Sequence, residues 1–258
     1  MPLSETARKQ GALWGAEARD WAEIQERTAP LLWRAALDAA GVGSGTRLLD
    51  AGCGAGGASV AARERGAIVS GCDASEPLLA IARERLPDAD LRLGELENLP
   101  FPDRAFDVVL AINCMQFTRD PLRAAQDLVR VTGPAARIVV VVWSIDQCEQ
   151  RQIFDAVLRL FETPPKGRGV FALSGPGEVE ALFPTLPAET IEVETASVYP
   201  TLDIALRGQM SAGPSQRVAE IFGREKVEAT IREALRPFMT ASGEVRMQNR
   251  FRCVVIRL

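Results

Sequence analysis

Between residues 46 and 143, short apolar runs alternate with segments in which apolar side chains recur at every third or fourth position. A short apolar run bounded by turn residues is typical of a buried strand, and the wider spacing is typical of a helix with one buried face. The pattern predicts strands at 46–50, 67–72, 90–93, 106–111 and 137–143, and helices at 58–65, 76–86 and 121–131. This alternation favours a parallel sheet with right-handed crossovers. We therefore predict an α/β fold with a doubly wound sheet.

The regions on either side predict more helices and two long strands. Residues 12–40 carry a helical pattern that Pro30 interrupts, because proline lacks the N–H that a helix interior needs. After residue 143 the pattern predicts helices at 147–162, 176–183 and, as three segments, 201–238, a loop at 163–169, and strands at 188–198 and 245–258. Ser75 is the predicted N-cap of the helix at 76–86. The complete sheet would be seven-stranded and mostly parallel, with an antiparallel C-terminal strand.

Composition and charge exclude several classes of function. A hydrophobic content of 47% is ordinary for a soluble globular protein. A net charge of −4 argues against binding to nucleic acid or to an anionic membrane surface. No apolar stretch reaches the roughly 18 residues of a membrane span, and the N-terminus lacks the basic-then-apolar pattern of a signal peptide. Five cysteines without a CxxC pair favour reduced thiols in the cytoplasm and no zinc site.

Histidine is absent from the chain. Its absence removes Ser–His and Cys–His nucleophile pairs and the commonest metal ligand. Any proton transfer must therefore use a carboxylate, a lysine, a thiol, water or the single tyrosine, Tyr199. Cys53 and Cys114 flank the candidate site described next, but a small buried apolar side chain is the favoured role for both. We predict no metal, and the sequence identifies no catalytic residue.

The most informative segment is the glycine-rich turn after the first predicted strand, Asp50-Ala-Gly52-Cys-Gly54-Ala-Gly56. Closely spaced glycines let backbone N–H groups approach a ligand that any Cβ would keep away. Asp73, which ends the second strand about twenty residues on, suits the two hydroxyls of a ribose. The segment predicts a site for a nucleoside-bearing cofactor. The same glycines also fit the dinucleotide pattern, so a nicotinamide-binding domain stays open at this point.

Two later segments complete the pattern. They are Gly94-Glu-Leu-Glu-Asn-Leu-Pro-Phe101, before the fourth strand, and FDVVLAINCMQF at 106–117. Together with the glycine turn and Asp73, in this order, they resemble the class I S-adenosylmethionine-dependent methyltransferases, in particular the small-molecule group labelled type 11 or ubiquinone/menaquinone-biosynthesis-like. The resemblance is strongest over residues 46–145. A nicotinamide-binding redox domain does not need the segment at 94–101. The presence of this segment therefore favours the methyltransferase fold over the nicotinamide interpretation.

The resemblance implies how the cofactor is held. The glycine turn, with Asp50, Gly54 and Gly56, would pass under the methionine portion, which backbone groups of Gly52 and Cys53 would contact.

The resemblance also implies how the nucleoside is held. Asp73 would bind the ribose hydroxyls, and Ala74 and Ser75 would lie beside it near the adenine edge. Glu95, where the family usually has Asp, would accept from the adenine amino group. Leu96 would offer its backbone N–H and pack on the ring.

Polar residues follow four of the predicted strands. They are Asp50, Asp73, Glu95 and Asn113. Because ligands bind outside the carboxyl ends of the strands of such a sheet, these residues should converge on one edge. The resemblance implies that Asn113 leaves the sheet beside the methyl donor. The alternatives are a helix-capping role for Asp50, a turn role for Asp73, a solvated loop acid at Glu95 and a loop hydrogen bond at Asn113.

Aromatic residues are the candidates for the acceptor pocket. They are Trp14, Trp21, Phe117, Trp143 and Phe171. Trp14 and Trp21 would share one face of an N-terminal helix, which in the resembling family covers the cofactor. Trp143 ends the fifth strand at the ligand edge. Packing in the core is the alternative for these three tryptophans, and Trp33 is assigned to the core.

The resemblance implies one domain over 1–258 and a function. Residues 1–45 would form an N-terminal helical cover, 46–145 the cofactor-binding core, 146–238 a helical lid with one strand, and 244–258 the closing strand. The cofactor would be S-adenosylmethionine, and the reaction methyl transfer to an oxygen or nitrogen nucleophile of a small-molecule acceptor. Such an in-line substitution is catalysed mainly by positioning and desolvation, so it needs no histidine. The alternatives are a cofactor-binding protein without transferase activity and an NAD(P)-dependent oxidoreductase. The acceptor and the oligomeric state are not encoded in any recognisable pattern.

Overall fold

The structure is a computed structural model, and it describes residues 2–163 and 169–258. The loop predicted at 163–169 therefore lies almost entirely outside the described residues. No helix in the described part of the chain is long and apolar enough to cross a bilayer.

The strands form a single sheet at the centre of the molecule. They are β1 (Arg47–Ala51), β2 (Ile68–Asp73), β3 (Asp90–Leu93), β4 (Phe106–Ile112), β5 (Thr132–Cys148), β6 (Ala188–Tyr199) and β7 (Val245–Arg257). Their order is β3-β2-β1-β4-β5-β7-β6. Strands β1 to β5 pair in parallel, whereas β7 is antiparallel to both β5 and β6. The predicted doubly wound sheet with an antiparallel C-terminal strand is confirmed.

Helices cover both faces of the sheet and form the insertion. They are α1 (Glu5–Gly15), α2 (Ala18–Asp20), α3 (Pro30–Ala40), α4 (Gly57–Glu64), α5 (Glu76–Arg85), α6 (Pro121–Val131), α7 (Gln150–Leu158), α8 (Leu202–Met210), α9 (Gly213–Phe222) and α10 (Arg224–Leu235). Successive strand residues point to opposite faces. Accordingly Leu48 packs in the cluster of α3 and α4, and Leu49 in the cluster of α6.

The insertion has an apolar cluster of its own at one edge of the sheet. Side chains of α7, α8 and α10 pack there against Val245 and Met247 of β7. Because β7 runs antiparallel to β5, and Asn249 pairs with Cys148, these residues lie at the end where β5 finishes. The insertion therefore covers the carboxyl edge of the sheet.

The N-terminal segment differs from the predicted pattern. Between α2 and α3 the chain forms a π-helical turn at Trp21–Gln25 and a 3₁₀ turn at Glu26–Thr28. π-Helical turns are rare in proteins overall, and those that occur are often found at functional sites. This irregular stretch carries both Trp21 and Glu26 to the sheet edge, where they face the glycine turn.

Three further predictions of local structure were wrong. The Ser75 side chain does not cap α5, and its buried hydroxyl has no hydrogen-bond partner. The helix predicted at 147–162 spans only α7, because β5 continues to Cys148. The segment at 176–183 forms only a 3₁₀ turn at Glu180–Leu182.

Two glycines let α1 lie directly on the loop after β2. A Cβ on Gly11 would stand 2.0 Å from the carbonyl oxygen of Ala74, and one on Gly15 would stand 2.7 Å from the Ser75 hydroxyl. A backbone oxygen cannot turn away as a long side chain can. The close docking of α1 therefore depends on the missing side chain at Gly11.

We predict that Gly11→Ala loosens α1 and lowers the free energy of unfolding by about 1–3 kcal/mol, the usual cost of overpacking. Alanine is the better helix former by only about 1 kcal/mol, so the clash should prevail. Gly43→Ala is the matched control, since nothing lies within 4 Å of its Cβ position. Urea unfolding reports global stability, and hydrogen exchange of the α1 amides reports local detachment. Equal behaviour of the two variants in both measurements would contradict this packing.

Candidate cofactor and acceptor site

A cavity opens at the carboxyl edge of the sheet, beside β1 and β4, where the strand order reverses. It is walled by most of the residues that the sequence predicts for the site. From the cofactor set these are Asp50, Gly52, Cys53, Gly54, Asp73, Ala74, Glu95, Leu96 and Asn113; from the aromatic set they are Trp14, Trp21, Phe117 and Trp143. The structure thus brings together residues from the N-terminal segment and from the ends of four strands.

Three predicted residues lie outside the cavity wall. Gly56 begins α4 with φ +85°, and its Cβ position faces Ala82 of α5 at 3.1 Å. Ser75 is fully buried beneath α1. Phe171 is buried behind Phe154, with the two ring centroids 5.7 Å apart, so Phe154 is the ring that lines the cavity.

The backbone N–H groups of the glycine turn are not free for a ligand, in contrast to the sequence-based expectation. Those of Gly52 and Cys53 donate to the Cys72 carbonyl at 2.7 and 3.0 Å. That of Gly54 donates to Oδ2 of Asp73 at 2.8 Å. The positive φ angles of Gly52 and Gly54 produce this inward folding of the turn. The turn can therefore present carbonyl oxygens to a ligand.

Glu26 occupies the N-terminus of α4. Its carboxylate faces the backbone N–H groups of Ala55 and Gly57, and it accepts from Nη1 of Arg85 at 2.5 Å. Burial raises the pKa of Glu26 to about 6, although Arg85 and the two N–H groups favour its charged form. A helix N-terminus of this kind is where a dinucleotide pyrophosphate binds. Here a carboxylate of the chain itself fills that position, which argues against the nicotinamide interpretation.

Asp50 is buried and Asp73 is half-buried, and the two acids have different partners. Asp73 accepts from the N–H groups of Gly54 and Ser75, each at 2.8 Å, so it fixes the turn as well as facing the cavity. Asp50 accepts from the Ser59 hydroxyl at 2.7 Å and so braces the first turn of α4. Burial raises the pKa of both carboxyls, and that of Asp50 reaches about 6. Asp50 thus lines the cavity, and it also holds the first turn of α4, which is the helix-capping alternative.

The residues after β3 and β4 differ in whether they have partners. Glu95 accepts from the backbone N–H of Ser4 at 3.2 Å and from the Ser4 hydroxyl. This contact joins the start of α1 to the predicted adenine subsite. Asn113 has φ +51°, and its side-chain oxygen is buried without a hydrogen-bond partner. It is therefore an acceptor atom available to a ligand.

The predicted aromatic residues cluster over the cavity. The Trp14 ring lies edge-on to Trp21 and to Phe117, with centroid distances of 4.8 and 5.2 Å. Trp143 stacks on Phe251 at 4.2 Å. Trp33, assigned to the core from the sequence, also reaches the cavity wall.

A family model for the methyltransferase domain of type 11 matches residues 49–140. Residues 49–140 are therefore similar to the methyltransferase domain of this family. The resemblance seen in the sequence is thereby confirmed, and the assignment implies S-adenosylmethionine as the cofactor.

Curated relatives of this methyltransferase domain match part of the chain. Demethylmenaquinone methyltransferase of Paenarthrobacter aurescens is 33% identical over 111 residues, which are 43% of this chain and 44% of the relative. An uncharacterized protein of Mycobacterium tuberculosis is 33% identical over 159 residues, 57% of each chain. Malonyl-(acyl-carrier protein) O-methyltransferase of Serratia marcescens is 39% identical over 102 residues, 38% of this chain and 40% of the relative. The chain thus spans about half the length of the curated relatives it matches.

Solved structures share the fold at low sequence identity. A proposed methyltransferase from an antibiotic biosynthesis pathway of Anabaena variabilis has a TM-score of 0.63 at 18% identity, covering 91% of this chain and all of its own. The (4+2)-cyclase SpnF has a TM-score of 0.51 at 19% identity, covering 87% of this chain and 80% of its own. The fold of the methyltransferase domain therefore also occurs in a protein named for another reaction.

Sequence reasoning missed several polar residues of the methyltransferase site. Glu26 lies in a segment that gives only a helical pattern, so no local signal marks it. Gln116 follows β4 and lines the cavity. Gln25, Gln150 and Gln209 line the cavity as well, and hydrogen bonds link them through the Tyr199 hydroxyl. These glutamines come from separate elements, and only the fold brings them together.

The phenol of Tyr199 and the thiols of Cys53 and Cys114 are held in their protonated forms near the site. Burial raises the pKa of Tyr199 to about 12 and raises the pKa of the Cys53 and Cys114 thiols, which keeps all three protonated near neutral pH.

No group of histidine, cysteine and acid side chains in the described residues could hold a metal ion.

The raised pKa of Asp50 gives the methyltransferase domain a pH-dependent stability. The native state binds this proton more tightly than the unfolded chain, where an aspartate titrates near 4, roughly. The stabilisation is therefore complete below about pH 4 and is lost as the pH rises through the native pKa of about 6.

We predict that lowering the pH from 7 to 5 stabilises the parent protein by roughly 1 kcal/mol more than it stabilises Asp50→Asn. Urea unfolding at the two pH values measures this difference. Asp107→Asn is the matched control, because Arg47 lowers the pKa of Asp107 and its contribution changes only below about pH 4. An Asp50→Asn variant with the pH profile of the parent would contradict the buried proton.

Proposed function

We propose that this chain transfers the methyl group of S-adenosylmethionine to an oxygen or nitrogen nucleophile of a small-molecule acceptor bound in the cavity. The observation that carries the proposal is the convergence of Asp73, Glu95 and Asn113 on the cavity beside the folded glycine turn. The small-molecule acceptor and a cytoplasmic location are both part of this proposal. The five unpaired thiols support the cytoplasmic location. The acid-lined cavity offers no match for a nucleic acid backbone.

The side chains present fit this cofactor. Its donors are the ribose hydroxyls, the ammonium group and the adenine amino group, and the wall offers acceptors. These include the carboxylates of Asp73 and Glu95 and the unpartnered oxygen of Asn113. We assign Asp73 to the ribose, Glu95 to the adenine and Asn113 to the side of the methyl donor. The surplus of carboxylates also suits a cationic ligand.

When bound, S-adenosylmethionine supplies an electrophilic methyl group on a sulfonium. Methyl transfer to the acceptor would leave S-adenosylhomocysteine and would release the acceptor's proton to water. The protein's part is to align the acceptor and to exclude bulk water. Trp14, Trp21 and Phe117 are suited to both tasks, because their rings close the cavity and aromatic faces stabilise a dispersed positive charge.

A second candidate is a protein that binds the cofactor and catalyses another reaction, or none. The fold shared with the cyclase SpnF favours keeping this candidate, since a fold does not fix a chemistry. Radiolabelled methyl transfer to a metabolite extract separates the two. A labelled product that depends on the protein supports the transferase. Tight binding of S-adenosylhomocysteine without any labelled product favours the second candidate.

We predict that Asp73→Ala weakens S-adenosylhomocysteine binding at least tenfold, since the lost acceptor pair is worth roughly 1.5–3 kcal/mol. Isothermal titration measures the dissociation constant. Cys53→Ser is the matched control in the same turn and should bind nearly as the parent does, because only the Cys53 backbone takes part in the turn's hydrogen bonds to Cys72. An unchanged dissociation constant for Asp73→Ala would exclude the ribose role.

A further inference from the structure

Gln116 is a buried amide without a protein partner. Its side chain is 9% exposed, and neither its oxygen nor its nitrogen has a hydrogen-bond partner in the described part of the structure. A buried primary amide left unpaired is costly, so such groups in native proteins are satisfied by another molecule. Because Gln116 lines the cavity, both atoms of its amide are open to a molecule that binds there.

The position of Gln116 assigns it to the acceptor side of the cavity. It lies in the 3₁₀ turn Met115–Phe117, which begins two residues after Asn113, and this turn packs against the insertion at Gly169–Phe171. The next residue, Phe117, contacts Trp14. The amide therefore sits between the end of β4 and the lid, among aromatic rings.

The remaining polar wall is neutral or acidic. Gln150 and Gln209 exchange hydrogen bonds between their amides, and Gln209 also donates to the Tyr199 hydroxyl at 3.1 Å. This network is already satisfied and pre-organised. Among the described residues, 2–163 and 169–258, the charged side chains on the wall are all acids: Glu26, Asp50, Asp73, Glu95 and Glu97. An anionic acceptor would enter against these like charges.

We propose that the acceptor is an uncharged, ring-bearing molecule that presents both a hydrogen-bond donor and an acceptor to the Gln116 amide. Gln116 is then an acceptor-binding residue that sets specificity. The side-chain oxygen of Gln116 accepts a hydrogen bond from the bound molecule, and the side-chain nitrogen donates one to it. The aromatic side chains of the cavity wall hold the ring of that molecule. This inference rests on the proposed function, and it adds the substrate class and the residue that recognises it.

The test uses the full chain loaded with S-adenosylhomocysteine and a panel of matched ring compounds. Each pair carries the same phenol or aniline nucleophile with a carboxamide in one member and a carboxylate in the other, such as 2-hydroxybenzamide and 2-hydroxybenzoate. We expect carboxamide members to bind at least tenfold more tightly than their partners. Equal or tighter binding of the carboxylates, or no binding by any member, overturns the proposal.

Gln116→Leu separates a binding role from a structural one. Replacing an unpaired buried amide by an apolar side chain of similar size removes a cost, so the melting temperature without acceptor should stay equal or rise. The variant should bind S-adenosylhomocysteine as the parent does and lose the tenfold preference for carboxamides. A lowered melting temperature with the preference retained would overturn the assignment.

Gln126→Leu is the matched control. Gln126 is exposed on α6 and lies away from the cavity wall, so this variant should keep the preference of the parent. Failure of the parent to bind S-adenosylhomocysteine would contradict the proposed function itself. Normal binding of that compound with no role for Gln116 would contradict only the present inference.

Discussion

The backbone N–H groups from Gly52 to Gly57 all need acceptors, because a buried N–H left unpaired costs about 1–3 kcal/mol. The acceptors come from three places: the Cys72 carbonyl and Asp73 at the end of β2, the Cys53 carbonyl within the turn, and Glu26 in the N-terminal segment. The turn is thus held by groups that are distant in sequence. The shape of the cavity depends on these bonds, since the turn, the end of β2 and the N-terminal cover each form one of its walls.

The same arrangement determines the charge of the site. Three acids lie around the turn, the buried Glu26 and Asp50 and the half-buried Asp73. Within the described residues, only Glu26 of these three has an arginine partner, Arg85. Burial raises the pKa of each. A cationic ligand lowers the cost of keeping such acids charged, whereas a phosphate-bearing ligand would raise it. The glycine pattern alone fits either ligand, and it is the carboxylate of Glu26 at the N-terminus of α4 that distinguishes them.

The parts of the fold encoded by local pattern could be predicted from the sequence. The strands, their parallel order and the approach of Asp50, Asp73, Glu95 and Asn113 follow from apolar periodicity and from the rule that ligands bind at the carboxyl ends of strands. The directions of the Ala55 and Gly57 N–H groups could not be predicted, because they depend on Glu26, which lies 59 residues from its partner Arg85. Ser75 looked like a cap from the sequence, but its side chain makes no cap hydrogen bond, and its own backbone N–H donates to Asp73.

The boundary between predictable and unpredictable parts also separates the proposed cofactor subsite from the proposed acceptor subsite. The family match covers residues 49–140, which include the glycine turn, Asp73 and Asn113. Gln25, Gln150 and Gln209 lie outside it, on the N-terminal cover and the insertion, and they line the other part of the cavity. Relatives that align over the shared part can therefore bind one cofactor while their acceptors differ. Gln116 lies within the matched range but faces the insertion, so its role is decided by what the insertion places opposite it.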